Sequence, residues 1–115
     1  MSAFNFYTFN VFKALAGVKK ISLYGFNSIT DEGIKYLAGV KKINLYECNK
    51  ITDNGLKYLQ SAKLLYLGNC DKITNEGLKY FKNLEAVDIY GCDRITENGL
   101  QELEKNNPGI QIFRW

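Results

Sequence analysis

A unit of 22 residues fills most of this chain and constrains its fold more than any other feature of the sequence. The four alignable copies begin at Ile21, Ile43, Leu65 and Val87, so each copy starts 22 residues after the one before it. A fixed period of this length is typical of a stacked array in which each unit covers the apolar face of its neighbour. The sequence therefore predicts a row of coils with the same internal structure.

Each unit consists of a strand half and a helical half. Apolar residues first alternate with other residues, as Ile43 and Leu45 do, which is typical of a half-buried strand. Apolar residues then recur three positions apart, as in segment 30–37, which is typical of a short helix. One threonine per unit stands at the expected N-cap, where its hydroxyl group would satisfy a free backbone N–H group: Thr30, Thr52, Thr74 and Thr96. Acidic residues follow and suit the positive end of a helix: Asp31, Glu32, Asp53, Glu76 and Glu97.

A glycine recurs in the first turn of each predicted helix, at Gly33, Gly55, Gly77 and Gly99. Intrinsic propensity disfavours glycine inside a helix by about 1 kcal/mol relative to alanine. The recurrence therefore indicates a structural role, and we expect the backbone of the adjacent coil to approach so closely that a Cβ atom would clash.

The motif of each unit resembles the leucine-rich repeat family, in particular its cysteine-containing subtype. It reads Leu/Val/Ala-x-x-Ile-x-Leu-x-x-Cys-x-x-Ile-Thr-Asp-x-Gly-Leu-x-x-Leu, as in Val40 to Leu59, and the resemblance covers about residues 18–104. It implies an α/β fold, a right-handed leucine-rich-repeat solenoid with a parallel β-sheet on the concave face and short helices on the convex face. Two features depart from the subtype: the repeats are shorter, which implies tight return loops, and Phe26 replaces the cysteine of the first unit.

The chain is predicted to form one domain, 1–115, because it contains no linker or low-complexity segment. Segment 12–20 aligns with segment 34–42 one period later, and an aromatic stretch precedes it, which predicts an N-terminal half-repeat with a cap. The turn Asn106-Asn-Pro-Gly109 ends the last helix and precedes a final strand. The predicted boundaries are 1–17 for the N-terminal cap and half-repeat, 18–39, 40–61, 62–83 and 84–106 for the repeats, and 107–115 for the C-terminal strand and cap.

Composition indicates a soluble protein. The hydrophobic fraction of 46% supports a core, and the formal net charge of +3 is far below what marks a nucleic-acid binder. No apolar run approaches the length of a membrane span. The N-terminus also lacks the basic region and the unbroken apolar region of a signal peptide. We therefore predict an intracellular, cytoplasmic protein without membrane partners.

The three cysteines share one position of the repeat, so stacking would place Cys48, Cys70 and Cys92 about 4.8 Å from coil to coil. A metal site would need closely spaced cysteine or histidine partners, and the chain has no histidine. A disulfide between neighbours is conceivable, but the odd count and a reducing compartment disfavour it. The resemblance implies that this position turns inward and bonds the bend of the chain. We therefore interpret the cysteines as structural and expect neither a metal nor a cofactor.

The inventory of side chains argues against an enzyme. Without histidine, the usual general base at neutral pH is missing. Most carboxylates stand at helix starts and are interpreted as solvated capping groups. Asp88 is the exception, since the alternation of its strand points it out of the sheet beside Asn44, Tyr66 and Gln111. A lone acid makes no catalytic set.

The outward positions of the strands depart from the repeat. They form an aromatic track of Tyr24 and Tyr46, then Tyr66 one step aside across Gly68, then Tyr90 and Phe113. One interpretation is cross-strand packing that stabilises the sheet. The other is a contact surface, because tyrosine offers a large contact area at a small cost in entropy. We predict a partner-binding surface made of Lys20, Lys42, Asn44, Tyr24, Tyr46, Tyr66, Asp88, Tyr90 and Phe113.

A basic edge runs beside that track and gives way to Glu85 in the fourth unit. It consists of Lys19, Lys20, Lys41, Lys42 and Lys63. Like charges about 5 Å apart in water repel by somewhat under 1 kcal/mol per pair, so the row does not serve stability. Solvated lysines that block aggregation are one explanation, and an acidic or phosphate-bearing partner is the other. On the helical face, Tyr36, Tyr58 and Tyr80 with Lys35, Lys57 and Lys79 are interpreted as packing between coils and a solvated rim.

The predicted function is a non-catalytic protein–protein interaction module that binds another protein on its concave face. Cysteine-type repeats are often the substrate-recognition arm of F-box ubiquitin-ligase subunits, so the resemblance suggests a substrate-recognition component of a ubiquitin-ligase-type complex as an alternative. That role would need a separate adaptor or a substitute N-terminus. Another alternative is anion or nucleic-acid binding through the basic edge, although nucleic acid is disfavoured. A purely structural assembly unit is a further possibility.

The final strand, 110–113, presents a problem because one side of its backbone has no neighbour in the sheet. Exposed apolar edge strands are templates for pairing with another chain. A second copy would cover the edge in a two-fold homodimer. Alternatively, the tail 113–115 folds back over the last coil of a monomer, and we favour this monomer.

Overall fold

The computed structural model of the protein describes residues 14–114. Residues 1–13, which include the predicted aromatic cap and the start of the predicted half-repeat, and Trp115 lie outside the described residues. Within them the chain forms one parallel sheet whose strands follow one another in chain order, each paired in register with the next. The strands are β1 (Lys20–Ser22), β2 (Lys42–Asn44), β3 (Leu64–Tyr66), β4 (Ala86–Asp88) and β5 (Gln111–Phe113).

A short helix lies between each pair of consecutive strands. The helices are α1 (Asp31–Ile34), α2 (Asp53–Leu56), α3 (Asn75–Leu78) and α4 (Glu97–Asn106). A 3₁₀ turn extends each of the first two helices, over Lys35–Leu37 and Lys57–Leu59. The predicted α/β solenoid, with one strand and one short helix per coil, is confirmed.

The core lies between the sheet and the helices, and it is built from columns of equivalent residues. One column contains the residue just before each threonine cap: Ile29, Ile51, Ile73 and Ile95, all at most 4% exposed. Another contains an inward residue of each central strand: Ile43, Leu65 and Val87. Each coil therefore covers its neighbour with the same side chains, which explains why the apolar positions repeat so strictly.

The predicted threonines are the N-cap residues of all four helices, with extended backbone. The predicted side-chain cap forms in two of the four helices: the Thr52 and Thr74 hydroxyl groups each accept a hydrogen bond from their own helix, whereas Thr30 and Thr96 make no such bond. The Thr52 hydroxyl group accepts a hydrogen bond from the backbone N–H of Asn54 at 3.2 Å and donates one to Asp31 of the preceding coil at 2.5 Å. The backbone N–H of Thr52 also donates to Asp31, at 2.9 Å. The interpretation of Asp31 as a solvated capping group is therefore wrong, because its carboxylate joins two coils.

The same link joins the later coils. The Asp53 carboxylate accepts two hydrogen bonds from Thr74, and the Asn75 amide exchanges two with Thr96. This ladder, made of the pairs Asp31–Thr52, Asp53–Thr74 and Asn75–Thr96, runs past the buried helix glycines. A Cβ atom on Gly55 would collide with the Asp31 carboxylate. The expected clash is thus present, but a side chain of the preceding coil causes it, rather than its backbone.

The turn after each of the first four strands contains one residue with a left-handed backbone, again at a spacing of 22 residues. Gly25 and Gly91 take this position in the first and fourth coils, with φ of 70° and 76°. Glu47 and Asn69 take it in the second and third coils, with φ of 62° and 61°. Because left-handed backbone disfavours residues with a Cβ atom, Glu47 is the least suited of the four.

The last coil departs from the period because α4 is longer than the other helices. Ten residues form this helix, and β5 starts 25 residues after β4 instead of 22. Asn107 follows the helix and is 3% exposed. Its amide group donates to the carbonyls of Phe81 and Leu103 at 2.9 and 3.0 Å, and its Oδ1 accepts from the N–H of Leu84 at 2.8 Å. This one side chain therefore satisfies three backbone groups where the regular turn is lost.

The tail after β5 is tied to the last helix. Arg114 Nη1 lies 2.7 Å from Glu97 Oε2. Phe113 itself is 53% exposed. The choice between a monomer with a folded-back tail and an edge-paired dimer depends in part on the position of Trp115. The folded-back monomer stays a prediction. Among residues 14–114, no helix is long and apolar enough to cross a membrane.

Candidate functional site

The sheet face that points away from the helices, called the concave face below, presents three rows of side chains. The strand register and the backbone hydrogen bonds that continue it define them. The first row is Lys20, Lys42, Leu64, Ala86 and Gln111. The second row is Ser22, Asn44, Tyr66, Asp88 and Phe113. The third row is Tyr24, Tyr46, Gly68 and Tyr90.

The register corrects two predicted neighbours at the C-terminal end. Phe113 pairs with Asp88 in the second row, and Gln111 pairs with Ala86 in the first row. The sequence interpretation placed Gln111 beside Asp88 and continued the aromatic track from Tyr90 to Phe113. That placement is wrong because the longer last helix shifts the register of β5 by three residues relative to the 22-residue period.

Tyr46 lies across the middle of the concave face and connects three strands. Its ring stacks on Tyr24 with centroids 5.8 Å apart and planes 7° from parallel. The ring also covers Gly68, where a Cβ atom would overlap ring carbons of Tyr46. Beyond Gly68, the Tyr46 hydroxyl group donates a 2.8 Å hydrogen bond to Oδ2 of Asp88. The absence of a side chain at Gly68 therefore lets a residue of the second coil reach an acid of the fourth.

This contact changes the acid–base properties of the tyrosine. Burial, together with the hydrogen bond to the Asp88 carboxylate and its negative charge, raises the pKa of Tyr46 to about 12. The second carboxylate oxygen of Asp88 accepts from the backbone N–H of Tyr90 at 2.9 Å. Asn44 makes the equivalent bond to the N–H of Tyr46 at 2.9 Å. Asn44 and Asp88 thus each use one side-chain oxygen to fix the end of their own strand.

The aromatic residues of the face differ in exposure. Tyr24, Tyr90 and Phe113 are exposed by 61%, 53% and 53%. Tyr46 and Tyr66 are half-buried. Three large rings therefore remain accessible to a partner, while Tyr46 and Tyr66 serve partly as support.

A depression of about 420 Å³ lies over β1–β3 on the concave face. It is lined by Lys20, Ile21, Ser22, Lys42, Asn44 and Tyr66. The ammonium group of Lys42 lies 5.9 Å from the centroid of the Tyr66 ring, within range of a cation–π contact. The depression thus gathers two lysines and three neutral polar side chains, and its lining contains no carboxylate.

The remaining lysines of the basic edge, Lys19, Lys41 and Lys63, are exposed beside the depression. On the helical face, Lys35 and Lys57 lie over Tyr36 and Tyr58, with 5.6 and 5.2 Å between ammonium and centroid. These tyrosines pack against the core. The two faces therefore hold lysines of similar exposure, but those of the concave face meet in one depression.

The three cysteines are fully buried free thiols. Each Sγ donates to a carbonyl of the preceding coil at 3.0 to 3.1 Å: Cys48 to Leu23, Cys70 to Leu45 and Cys92 to Leu67. Burial raises their pKa values to about 11, 12 and 11. The thiols therefore stay protonated at neutral pH, which makes them poor nucleophiles and poor metal ligands.

Phe26 holds the backbone position of the cysteines in the first coil, since its N–H bonds to the Leu23 carbonyl as that of Cys48 bonds to Leu45. Its side chain is 39% exposed, whereas the cysteines are fully buried. The position of the buried cysteines therefore carries a partly exposed ring in the first coil. No cluster of three or more metal-ligating side chains occurs in the described part of the chain.

Sequence reasoning missed how Tyr46, Gly68 and Asp88 act together. The sequence did contain an indication of this contact. Only the third coil has glycine, Gly68, where the other coils have tyrosine in the third row, and the following coil carries Asp88 in the neighbouring row. The predicted residues Lys20, Lys42, Asn44 and Tyr66 meet at the depression. Tyr90 and Phe113 lie towards the other end of the sheet.

The fold defines the class of the protein as a solenoid of short parallel strands and helices. A family model described as Leucine Rich repeat matches residues 25–38 and 40–59. The two matched stretches are therefore similar to leucine-rich repeats, as the sequence predicted. Solenoids of this kind present extended surfaces that serve in protein interactions. No curated protein matches the chain in sequence.

A solved structure supports the fold. A chain in the crystal structure of the Rad7 and Elc1 complex in yeast has a TM-score of 0.73 with this protein at 16% sequence identity. The similarity covers 90% of this chain and 29% of that chain, so the protein spans less than a third of its length. At this identity the similarity shows a shared fold.

Proposed function

We propose that the protein is a non-catalytic interaction module that binds a partner protein on the concave face of its sheet. The observation that carries this proposal is the contrast between the repeated and the variable positions. Core residues, threonine caps and cysteines recur from coil to coil, whereas the concave rows change from lysine and asparagine to aspartate and phenylalanine. Variable side chains on a rigid array supply the specificity of a binding surface.

The exposed aromatic residues support the same face. Tyr24, Tyr90 and Phe113 are more than half exposed. Tyrosine and other large rings are enriched among the residues that contribute most to protein–protein affinity. A face on which such rings stand among ordered polar groups therefore suits a protein partner.

The polar groups of the face also argue against catalysis. Asp88 uses one oxygen for the Tyr46 hydroxyl group and the other for the Tyr90 N–H group. This arrangement fixes the carboxylate as a structural acceptor. Together with the buried, protonated thiols, it supports a binding role. The similar chain in the yeast structure belongs to a complex of two proteins, which supports a protein partner in general terms.

The test removes exposed rings from the concave face without disturbing the core. In the double variant Tyr90→Ser with Phe113→Ser, we expect the affinity for the partner recovered from the native cell to fall at least about tenfold. Far-UV circular dichroism is expected to stay unchanged, because both rings are 53% exposed. Biolayer interferometry measures the affinity.

A matched pair on the convex face provides the control. Gln101 and Glu104 are exposed residues of α4, and the variant Gln101→Ser with Glu104→Ser is expected to bind the partner like the parent. If the Gln101 and Glu104 variant lost affinity for the partner while the Tyr90 and Phe113 variant kept it, the interface would lie on the helices and the proposal would be refuted.

A further inference from the structure

The depression over β1–β3 is a set of hydrogen-bond donors that the fold has arranged around one space. Asn44 accepts from the N–H of Tyr46 through Oδ1. Its Nδ2 group has no acceptor within the described residues and is available to a ligand. Lys20 and Lys42 are exposed, and neither forms a salt bridge with a described residue. A site with several donors and no carboxylate is complementary to an anion.

The two lysines are adjacent in the first row, where parallel strands lie about 4.8 Å apart. Lys42 is held towards the depression by its contact with the Tyr66 ring. Two like charges at this spacing repel each other, and an anion between them would remove that repulsion. The arrangement therefore favours a negatively charged ligand over an empty site.

The other half of the concave face has the opposite character. Asp88 and Glu85 carry negative charge near β4, while Tyr90 and Phe113 expose apolar rings there. A uniformly acidic ligand would be repelled from this half. A partner that fits the whole face therefore carries acidic groups over β1–β3 and apolar groups over β4–β5.

We propose that the depression binds the carboxylates of an acidic peptide segment of the partner protein; this inference rests on the proposed function and specifies the partner's chemistry. Phosphate recognition usually relies on the forked guanidinium group of arginine. The chain has two arginines: Arg94 lies outside the lining of the depression, and Arg114 pairs with Glu97. A nucleic acid would need a longer basic track, and Glu85 interrupts this one.

Fluorescence anisotropy with a defined probe tests the inference. The probe is a short fluorescein-labelled peptide of alternating glutamate and serine, compared with a peptide in which glutamine replaces glutamate. We expect the glutamate peptide to bind the full chain at least about tenfold more tightly, and this binding to weaken as the salt concentration rises. The variant Lys20→Gln with Lys42→Gln is expected to weaken it about tenfold.

The convex face supplies a control with the same change of charge. Lys35 and Lys57 also lie over tyrosine rings, at 5.6 and 5.2 Å. The variant Lys35→Gln with Lys57→Gln is expected to bind the glutamate peptide like the parent. An equal loss of peptide affinity in the two double variants would show that the peptide is attracted by the overall charge of the protein, and it would overturn the inference.

Two further probes decide the chemical class. A phosphoserine peptide or a single-stranded RNA that binds about tenfold more tightly than the glutamate peptide would overturn the choice of carboxylates. The partner recovered from the cell separates this inference from the proposed function. If the Tyr90 and Phe113 variant loses the partner but the Lys20 and Lys42 variant retains it, only the acidic segment is refuted. If both variants retain it, the concave face is refuted as well.

Discussion

The variant Tyr46→Phe tests whether the side chains of the concave face hold one another in place. This change keeps the ring that stacks on Tyr24 and covers Gly68, and it removes only the hydroxyl group that lies 2.8 Å from Asp88. A hydrogen bond to a charged group contributes roughly 1.5 to 3 kcal/mol. Since Asp88 is half-buried, water can replace part of the lost bond, and we expect the free energy of unfolding to fall by about 1 to 2 kcal/mol.

A double-mutant cycle separates this bond from other effects of the substitution. Asp88→Asn keeps an oxygen for the Tyr90 N–H group but removes the charge that the Tyr46 hydroxyl group meets. Urea denaturation of the parent, the two single variants and the double variant is expected to give a coupling energy of about 1 kcal/mol. Tyr24→Phe is the control, and its effect is expected to be near zero because no hydrogen bond of its hydroxyl group occurs among the described residues. A coupling energy within about 0.3 kcal/mol of zero would refute the reasoning.

The same bond predicts a dependence on pH. The pKa of Tyr46 is raised to about 12, so the folded state retains a proton that the unfolded state has already lost. Its contribution to stability is therefore fully present below pH 10 and is lost as the pH rises from about 10 through about 12. Carbon NMR of the tyrosine rings, assigned with Tyr46→Phe, measures this pKa. In Asp88→Asn it is expected to fall but to stay above 10, because burial persists; an unchanged pKa would exclude the Asp88 contribution.

Three further predictions concern the scaffold. Replacing Glu47 with glycine relieves its left-handed backbone, and thermal unfolding is expected to show a gain of about 0.5 to 1 kcal/mol; a loss would contradict the strain. Asn107→Ala leaves the buried N–H group of Leu84 without its partner and is expected to cost about 2 to 4 kcal/mol by urea denaturation, whereas Asn106→Ala changes little; equal effects would contradict the role of the amide. The buried thiols of Cys48, Cys70 and Cys92 are expected to resist maleimide at neutral pH until the protein is denatured. Rapid labelling of the native protein would contradict their burial.

The fold was predictable because the repeat gives the same information four times. An apolar residue such as Ile51 has an equivalent in every coil, and the equivalents meet in one column of the core. The threonine caps were predictable for the same reason, since each stands at a fixed distance from its strand. A local pattern that recurs without insertion leaves one consistent way to stack the coils.

The contacts between coils were less accessible to sequence reasoning. The Asp31 carboxylate bonds to Thr52 one coil later, and the same spacing equally suits a cap of its own helix. Tyr46 reaches Asp88 across 42 positions, over a strand whose glycine leaves room for the ring. Such contacts depend on which side chain occupies the space between two coils. The 22-residue period fixes the positions of the residues but does not determine which side chain fills that space.

The C-terminal coil illustrates a different limit. The turn at Pro108 was recognised as the end of α4, but the three additional residues before β5 change which side chains face each other. Asn107, which the sequence placed in this turn, occupies a buried position. Register at the end of an array depends on the length of the last connection, and the repeats before it carry no information on that length.

The most direct test of the interaction face is photo-crosslinking from defined positions of the full chain in its native cell. Benzoylphenylalanine replaces Tyr90 on the concave face in one variant and Gln101 on the convex face in another, both of which are exposed. The account predicts that Tyr90 gives a covalent adduct with a partner protein, identified by mass spectrometry, and that Gln101 gives none with that partner. Adducts with the partner from Gln101 and none from Tyr90 would contradict it.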